Sequence, residues 1–170
     1  MKCPRLTLPV VLLSLATVAL AESGAQKSFD TMKSLAGSWQ GTLTTTPPDP
    51  DVQGKIAQVS LRVTSSGHAL MHEMNIGGRP DDPITMFYLD ADRLLLTHYC
   101  DAGNRPRMVG KMSPDGKTLE FDFLDIAGST QYHMHHALFT MIDSNHHTED
   151  WTFMEGDQPV QVHFDLQRTK

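Results

Sequence analysis

Histidines and acidic residues are the side chains of this 170-residue chain best suited to chemistry, and two short segments concentrate them. HMHH occupies residues 133–136 and HHTE occupies residues 146–149. Imidazole nitrogens and carboxylates are ligands that zinc accepts, and a His–Glu pair can also exchange protons with a substrate. Adjacent side chains on a β-strand point to opposite faces, so HMHH on a strand divides its rings between two surfaces.

The segment LLLTHYCDAGNRPRM, residues 94–108, holds a second set of candidates: a histidine, a tyrosine, a cysteine and two arginines. Gly103 and Asn104 supply turn geometry, so the segment is interpreted as a strand, a loop and a second strand. Arg105 and Arg107 are then expected at a rim. There a planar guanidinium could bind the carboxylate of a ligand or of a neighbouring side chain.

Composition limits the classes of function. The length suits one domain with a hydrophobic core. The formal net charge is −6, and lysine and arginine do not cluster, so a nucleic-acid surface is not expected. The only cysteines are Cys3 and Cys100. Cys3 lies in the segment expected to be removed, so no internal disulfide is expected in the mature chain.

The first 21 residues have the pattern of an export signal. Lys2 and Arg5 precede an apolar run from Leu6 to Leu20, and Ala19-Leu20-Ala21 fits a small-x-small cleavage site. The run is shorter than the roughly 20 apolar residues that a membrane-spanning helix needs. Cleavage after Ala21, a periplasmic or secreted location and no stable membrane insertion after cleavage are therefore predicted.

The remainder is predicted to be an all-β domain. Residues 22–36 are expected to form a flexible lead and a short helix over Ser28–Leu35, which Gly37 ends. Residues 37–170 divide into about ten short β-type segments separated by turn residues, and Pro114-Asp115-Gly116 is the clearest hairpin signal. Regular spacing of this kind favours an antiparallel up-and-down barrel.

A short helix leading into Gly37-Ser38-Trp39-Gln40-Gly41 resembles the opening of the calycin-like barrels, which include lipocalins, fatty-acid-binding proteins and nitrobindin-like haem domains. The THYC and GNRPRM elements resemble a segment of uncharacterised exported bacterial proteins of this type. The resemblance implies a barrel fold and export, and it implies no particular activity. Residues 42–46 replace the glycine-rich continuation of the nitrobindin pattern, so no haem ligand is carried over.

Turn positions predict which side chains face the barrel interior, because register fixes the faces of a hairpin. With Asp115-Gly116 as turn, Met108 lies opposite Phe123, Gly110 opposite Phe121 and Met112 opposite Leu119. These residues form an apolar, inward face. With Gly156-Asp157 as the last turn, four side chains share the inward face of the strand that precedes it: His147, Glu149, Trp151 and Phe153.

In three further strands, the inward face is predicted from the number of apolar residues on each face or from the register with a neighbouring strand. His72 is expected inside with its apolar neighbours Leu70 and Met74. In the strand that contains HMHH, the inward set is expected to be Met134, His136, Leu138 and Thr140, unless a bulge reverses it. A four-residue loop over Asp101–Asn104 would place Thr97 and Tyr99 inside and His98 and Cys100 outside.

The favoured function is binding of a small apolar or amphipathic molecule inside the barrel, since such cavities combine apolar walls with a few polar groups. The expected ligand-binding residues are His72, Tyr99, Arg107, Met108, Phe121, Phe123, His136, His147, Glu149 and Trp151. No catalytic or metal-ligating residue is assigned, and the cofactor is unknown. A haem- or metal-binding barrel using His72, His136 or His147 stays open. So does an enzyme of unknown class using His147 and Glu149 as an acid–base pair.

Overall fold

The computed structural model describes residues 23–77 and 83–169, so the predicted signal peptide lies outside the described residues. These ranges form one helix, one 3-10 turn (Ser65–Gly67) and ten strands. The helix is α1 (Gly24–Ser34). The strands are β1 (Gly37–Thr46), β2 (Ile56–Thr64), β3 (Ala69–Ile76), β4 (Ile84–Asp90), β5 (Arg93–Tyr99), β6 (Arg105–Met112), β7 (Thr118–Ala127), β8 (Tyr132–Asp143), β9 (His146–Glu155) and β10 (Gln158–Arg168).

The ten strands form a closed antiparallel barrel in sequence order, which confirms the predicted fold class. Each strand pairs with its neighbours along the chain, and β1 pairs with β10 to close the sheet. Buried and exposed residues alternate along β1 and β2, as expected for strands that turn one face to a core. Closure leaves no free sheet edge among the ten described strands.

Helix α1 covers one end of the barrel. The Ser23 side chain caps its first turn, so the helix begins at Gly24, four residues before the expected start. Phe29 and Met32 are buried in the core cluster. Trp39 at the start of β1 is also buried and donates from Nε1 to the Leu35 carbonyl oxygen at 2.8 Å. The Gly-Ser-Trp element therefore joins the helix to the barrel.

The registers expected for two hairpins are confirmed. In β6–β7, Met108 lies opposite Phe123 and Met112 lies opposite Leu119. In β9–β10, Trp151 lies opposite Val162 and His147 opposite Leu166. Because side chains alternate along a strand, His147, Glu149 and Trp151 share the inner face of β9.

The expected inward set of β8 is wrong beyond Met134. The β8–β9 register shifts between Met134 and His136, so Ala137 pairs with Trp151 and Phe139 pairs with Glu149. This bulge turns His136 outward with Leu138 and Thr140. The core gains Phe139, whose ring contacts those of Phe87 and Phe121.

The expected faces of β5 are also wrong. The Cys100 backbone nitrogen donates to the Asn104 carbonyl oxygen, so the loop holds three residues rather than four. Thr97 then pairs with Arg107 instead of Met108. A one-residue slip exchanges the two faces of a strand. His98 is therefore buried, whereas Tyr99 is 48% exposed.

Among residues 23–77 and 83–169, no helix combines the length and the apolarity needed to cross a membrane.

Candidate functional site

A buried carboxylate lies at the centre of the barrel. Glu149 Oε2 is 3.0 Å from His72 Nε2 and 3.0 Å from Trp151 Nε1, and Glu149 Oε1 is 3.0 Å from His147 Nε2. The side chains of Glu149, His72 and His147 are 0% exposed. An ionised carboxylate only accepts hydrogen bonds, so both imidazoles donate from Nε2 and the indole N–H completes a set of three donors.

Two elements bring this network together. His147, Glu149 and Trp151 alternate along β9, whereas His72 comes from β3 across the barrel. Two register decisions are needed: the tight β9–β10 turn and the pairing of His72 with Leu61 and Thr85. The inward face of β9 was predictable from hairpin geometry, and that of β3 from the number of apolar residues on each face. That β3 and β9 approach each other across the barrel follows only from barrel closure.

The electrostatics favour the ionised carboxylate. Burial by itself raises the pKa of Glu149, but the charge of His72 and hydrogen bonds from His147 and His72 outweigh it, so the net pKa is lowered. Charge-assisted hydrogen bonds of this kind are stronger than neutral ones. Among the described residues, the Nδ1 atoms of His72 and His147 have no hydrogen-bond partner.

Aromatic rings enclose this network. The His72 ring contacts the rings of Phe87, Phe139 and Trp151, with centroids 5.8–6.4 Å apart. The His147 ring meets Trp39 edge-on, with centroids 4.2 Å apart. Because the side chains of His72, His147 and Glu149 are fully buried behind these rings, this geometry does not favour acid–base catalysis on a substrate there. Nor does either histidine offer a free Nε2 as an axial haem ligand.

A cavity of about 260 Å³ opens at the end of the barrel opposite α1. Its lining is largely apolar, with a minority of polar side chains at the floor and mouth. The apolar residues are Leu43, Val52, Met74, Ile76, Pro83, Met134, Trp151, Phe153, Val160, Val162 and Phe164; the others are Thr45, Asp49, His98, Cys100, Asp101 and Glu155. Small-molecule sites typically measure roughly 300–1,000 Å³, so a ligand enclosed here would be small.

Trp151 connects the cavity to the Glu149 network. Its ring lines the cavity, while its Nε1 donates to Glu149 Oε2. His72 and His147 are not among the lining residues. They orient a wall residue through Glu149 and would not touch a molecule in the cavity.

His98 is the most deeply buried polar residue among the described residues of the cavity wall. It is 1% exposed, and its Nδ1 lies 2.8 Å from Thr85 Oγ1. Within the described ranges, the hydrogen bonds of this ring use Nδ1 alone, which leaves Nε2 for another partner. Burial, followed by the charge of His72, lowers the pKa of His98 to about 4, so the ring is neutral at pH 7.

Cys100 also lines the cavity, but it does not have the character of a nucleophile. Its Sγ donates to Asp101 Oδ1 at 3.5 Å. Burial raises the pKa of this thiol, so the thiol form predominates at neutral pH. A reactive cysteine requires a lowered pKa.

The predicted site residues fall into two groups. Six lie in the core: His72, Met108, Phe121, His147, Glu149 and Trp151. Four do not: Tyr99, Arg107, Phe123 and His136. Arg107 forms a surface ion pair with Asp125, and Phe123 is half-buried, with its ring stacked on His135.

Sequence reasoning missed His98 and Cys100 as cavity residues. The run Leu94-Leu95-Leu96 gives β5 two equally apolar faces, so alternation alone could not assign them. All three leucines are in fact buried. The length of the loop after Cys100 decides which face of β5 points inward, and this length cannot be determined from the sequence alone.

His136 belongs to a group on the outer surface, so it cannot join His72 and His147 around an interior metal. One ligand atom each from Glu120, Asp122 and His136 lie within 4.8 Å of one another. Both carboxylates are more than half exposed. The bulge in β8 that turns His136 outward produces this grouping.

Comparisons with known proteins define a fold and no more. No protein-family model matches the chain, and a search of curated proteins found no match. A solved structure from Nostoc punctiforme, of a DUF3598-family protein of unknown function, is similar to 81% of this chain, with a TM-score of 0.57 and 14% identity. The matched region is 48% of that structure, so this chain spans about half of its length. At this identity the likeness concerns the barrel alone.

Proposed function

We propose that this protein is an exported small-molecule-binding barrel that takes an apolar or amphipathic molecule into the cavity opposite α1. The calycin-like resemblance and the export-type N-terminus belong to the same proposal. The observation that carries it is the cavity itself. Its wall is largely apolar, and its floor holds the buried His98, whose Nε2 has no hydrogen-bond partner among the described residues. The indole of Trp151, which forms part of the wall, is held by a hydrogen bond to Glu149.

The interior is divided into two parts, which supports a ligand at one end. Towards α1, the rings of Phe87, Phe121 and Phe139 fill the barrel with edge-to-face contacts. Towards the mouth, Leu43, Val162 and Phe164 line open space. The packed half near α1 makes the barrel rigid, and the open half near the mouth provides volume for a ligand.

Methionine side chains suit such a wall. Met74 and Met134 contribute to it from β3 and β8. Thioether side chains have flexible torsions and adapt to irregular shapes. His98 adds one hydrogen-bonding position, and the Thr85 hydroxyl can donate or accept, so the ring can present either a donor or an acceptor from Nε2.

The test is a titration of the ¹⁵N-labelled protein, residues 22–170, with 1-hexanol, followed by NMR. Saturable shifts of the Trp151 indole N–H and of amides around the cavity are expected. Val162→Trp should abolish them, because the new ring occupies the cavity. Gln161→Trp is the matched control, since Gln161 is the exposed neighbour on the same strand.

If Val162→Trp fails to fold, Val160→Trp nearer the turn replaces it. Shifts that persist in a folded cavity-filling variant, or that are absent from the unmodified protein, would overturn the proposal. Native mass spectrometry of protein secreted to a bacterial periplasm adds an independent readout, because a retained organic mass would identify the ligand.

A further inference from the structure

The mouth of the cavity is acidic. Asp49 follows β1, Asp101 follows β5, and Glu155 ends β9, so loops and strand ends from three parts of the chain place a carboxylate there. No lysine or arginine occurs among the described residues that line the cavity. The charged groups of the described lining are therefore all negative.

These carboxylates are not used in ion pairs within the described ranges. Asp49 Oδ1 accepts from the backbone nitrogen of Asp51, and Asp101 Oδ1 accepts from the Cys100 thiol. Elsewhere on the barrel carboxylates are neutralised, for example Asp125 by Arg107. The charge at the mouth is thus available to a bound molecule.

Among the described lining residues, the floor offers no opposing charge. His98 is buried and neutral at pH 7, since its pKa is lowered to about 4 by burial and by His72. The Cys100 thiol is neutral as well. A carboxylate ligand would meet repulsion at the mouth and would find no cation at the floor. A cationic head would meet attraction at the mouth, where it also keeps contact with water.

We propose that the ligand class of this cavity is a small amine, positively charged at pH 7, with an apolar body. The body lies against the apolar wall, and the ammonium group lies at the mouth beside Asp49, Asp101 and Glu155. This inference rests on the proposed function, because it assumes that the cavity binds a molecule. It adds to the proposed function that the cavity prefers a positively charged ligand.

The test compares three molecules with the same six-carbon body: hexylamine, 1-hexanol and hexanoate. Dissociation constants are measured at pH 7 and low ionic strength from NMR shifts of the Trp151 indole N–H and the lining amides. Hexylamine is expected to bind most tightly and hexanoate most weakly, with at least about a tenfold difference between the two charged ligands. Raising the salt concentration should shrink this preference.

Because the whole protein carries a net charge of −6, general attraction of cations needs its own control. The double variant Asp49→Asn/Asp101→Asn keeps the side-chain shapes and removes two charges at the mouth. Asp92→Asn/Asp115→Asn removes two exposed charges from the turns at the opposite end. The Asp49→Asn/Asp101→Asn variant is expected to bind hexylamine several-fold more weakly, with little change in its affinity for 1-hexanol. The Asp92→Asn/Asp115→Asn variant is expected to keep both affinities.

The possible failures are distinguishable. If none of the three molecules shifts the lining signals, the proposed function fails and this inference fails with it. If 1-hexanol binds but hexanoate binds as tightly as hexylamine, the binding function stands and the preference for amines is wrong. If the two double variants weaken hexylamine equally, the effect belongs to the net charge and the inference is overturned.

Discussion

At the residue scale, Glu149 is the most consequential side chain of the barrel. It is fully buried, yet it accepts from two imidazoles and an indole, so its charge is solvated by the protein itself. A buried carboxylate without such partners would be protonated or would destabilise the fold. Here the network joins β3 to β9 and fixes the orientation of Trp151.

Glu149→Gln is therefore expected to destabilise the protein by about 3 kcal/mol or more, because the amide NH₂ faces N–H donors and the buried charge pairing is lost. For a domain of this size that corresponds to a fall in Tm of roughly 6–12 °C, measured by calorimetry. Glu155→Gln changes the same functional group at an exposed position and should leave Tm nearly unchanged. Equal Tm values for the two variants would contradict the structural role assigned to Glu149.

His98 predicts a specific pH dependence of stability. Its pKa is about 4 in the folded protein, below the ordinary value near 6.5, so the unfolded chain binds the proton more readily between these limits. The stability that neutral His98 confers is full above about pH 6.5 and is lost as the pH falls towards 4, by about 3 kcal/mol in all.

Urea denaturation of the unmodified protein and of His98→Asn at several pH values tests this prediction. The variant keeps a polar partner for Thr85 but does not titrate, so it should lose less stability between pH 7 and 4. His68→Asn, at an exposed position, should follow the unmodified protein. Parallel curves for all three proteins would contradict the prediction. The Glu149 contribution is lost only below about pH 4.3, because its pKa is lowered, and so falls in a separate window.

At the scale of elements, Arg168 joins the end of the last strand to the helix. Its guanidinium donates to the carbonyl oxygens of Ser144, Ala36 and Ser34 at 2.9, 2.8 and 3.2 Å. It also lies 4.1 Å from the ring centroid of Trp39. One planar group at the end of β10 thus contacts both the β8–β9 turn and the segment that leads from α1 into β1.

Arg168→Lys is expected to lower stability by about 2 kcal/mol, since an ammonium group cannot reproduce the fork of donors or its stacking on the indole. Hydrogen exchange of the α1 amides should accelerate, and mass spectrometry measures this. Arg105→Lys, at an exposed position on β6, is the matched control and should change neither quantity. Unchanged exchange in α1 would contradict the role assigned to Arg168 in holding the helix.

Elements also show why sequence reasoning succeeded in some strands and failed in others. The β6–β7 and β9–β10 hairpins have tight turns and clear alternation, so their registers were predictable. In β8, a bulge exchanges the faces after Met134. This bulge is stabilised because the register shift places Phe139 in the core. That gain depends on rings from β4 and β7.

At the scale of the whole molecule, closure depends on a close approach between β1 and β10. A Cβ at Gly41 would lie 1.6 Å from the Asp165 carbonyl oxygen, which is backbone and cannot move aside cheaply. Gly41 is paired with Leu166 on one side and with Ala57 on the other. The Gly-Ser-Trp-Gln-Gly element thus supplies both the tryptophan at the barrel end and the glycine that permits closure.

Gly41→Ala is expected to prevent stable closure, with loss of the cooperative thermal transition or a large fall in Tm. Gly24→Ala is the control, because a Cβ there meets nothing within 4 Å and alanine favours a helix. Circular dichroism melting curves of both variants measure the difference. A Gly41→Ala protein that melts like the unmodified one would show that the two strands can separate without cost.

The sequence by itself determined the all-β class, the number of strands and the inward face of β9, because turn residues and alternation are local signals. It also brought His72, His147, Glu149 and Trp151 forward as inward residues. Only the tertiary structure decided that these four meet in one network, that His98 and Cys100 line the cavity, and that His136 and Tyr99 lie outside. The network depends on closure of the barrel, which brings β3 to β9. The placement of His136 depends on a bulge, and that of His98, Cys100 and Tyr99 on a loop one residue shorter than expected; both are selected by the packing of strands distant in the sequence.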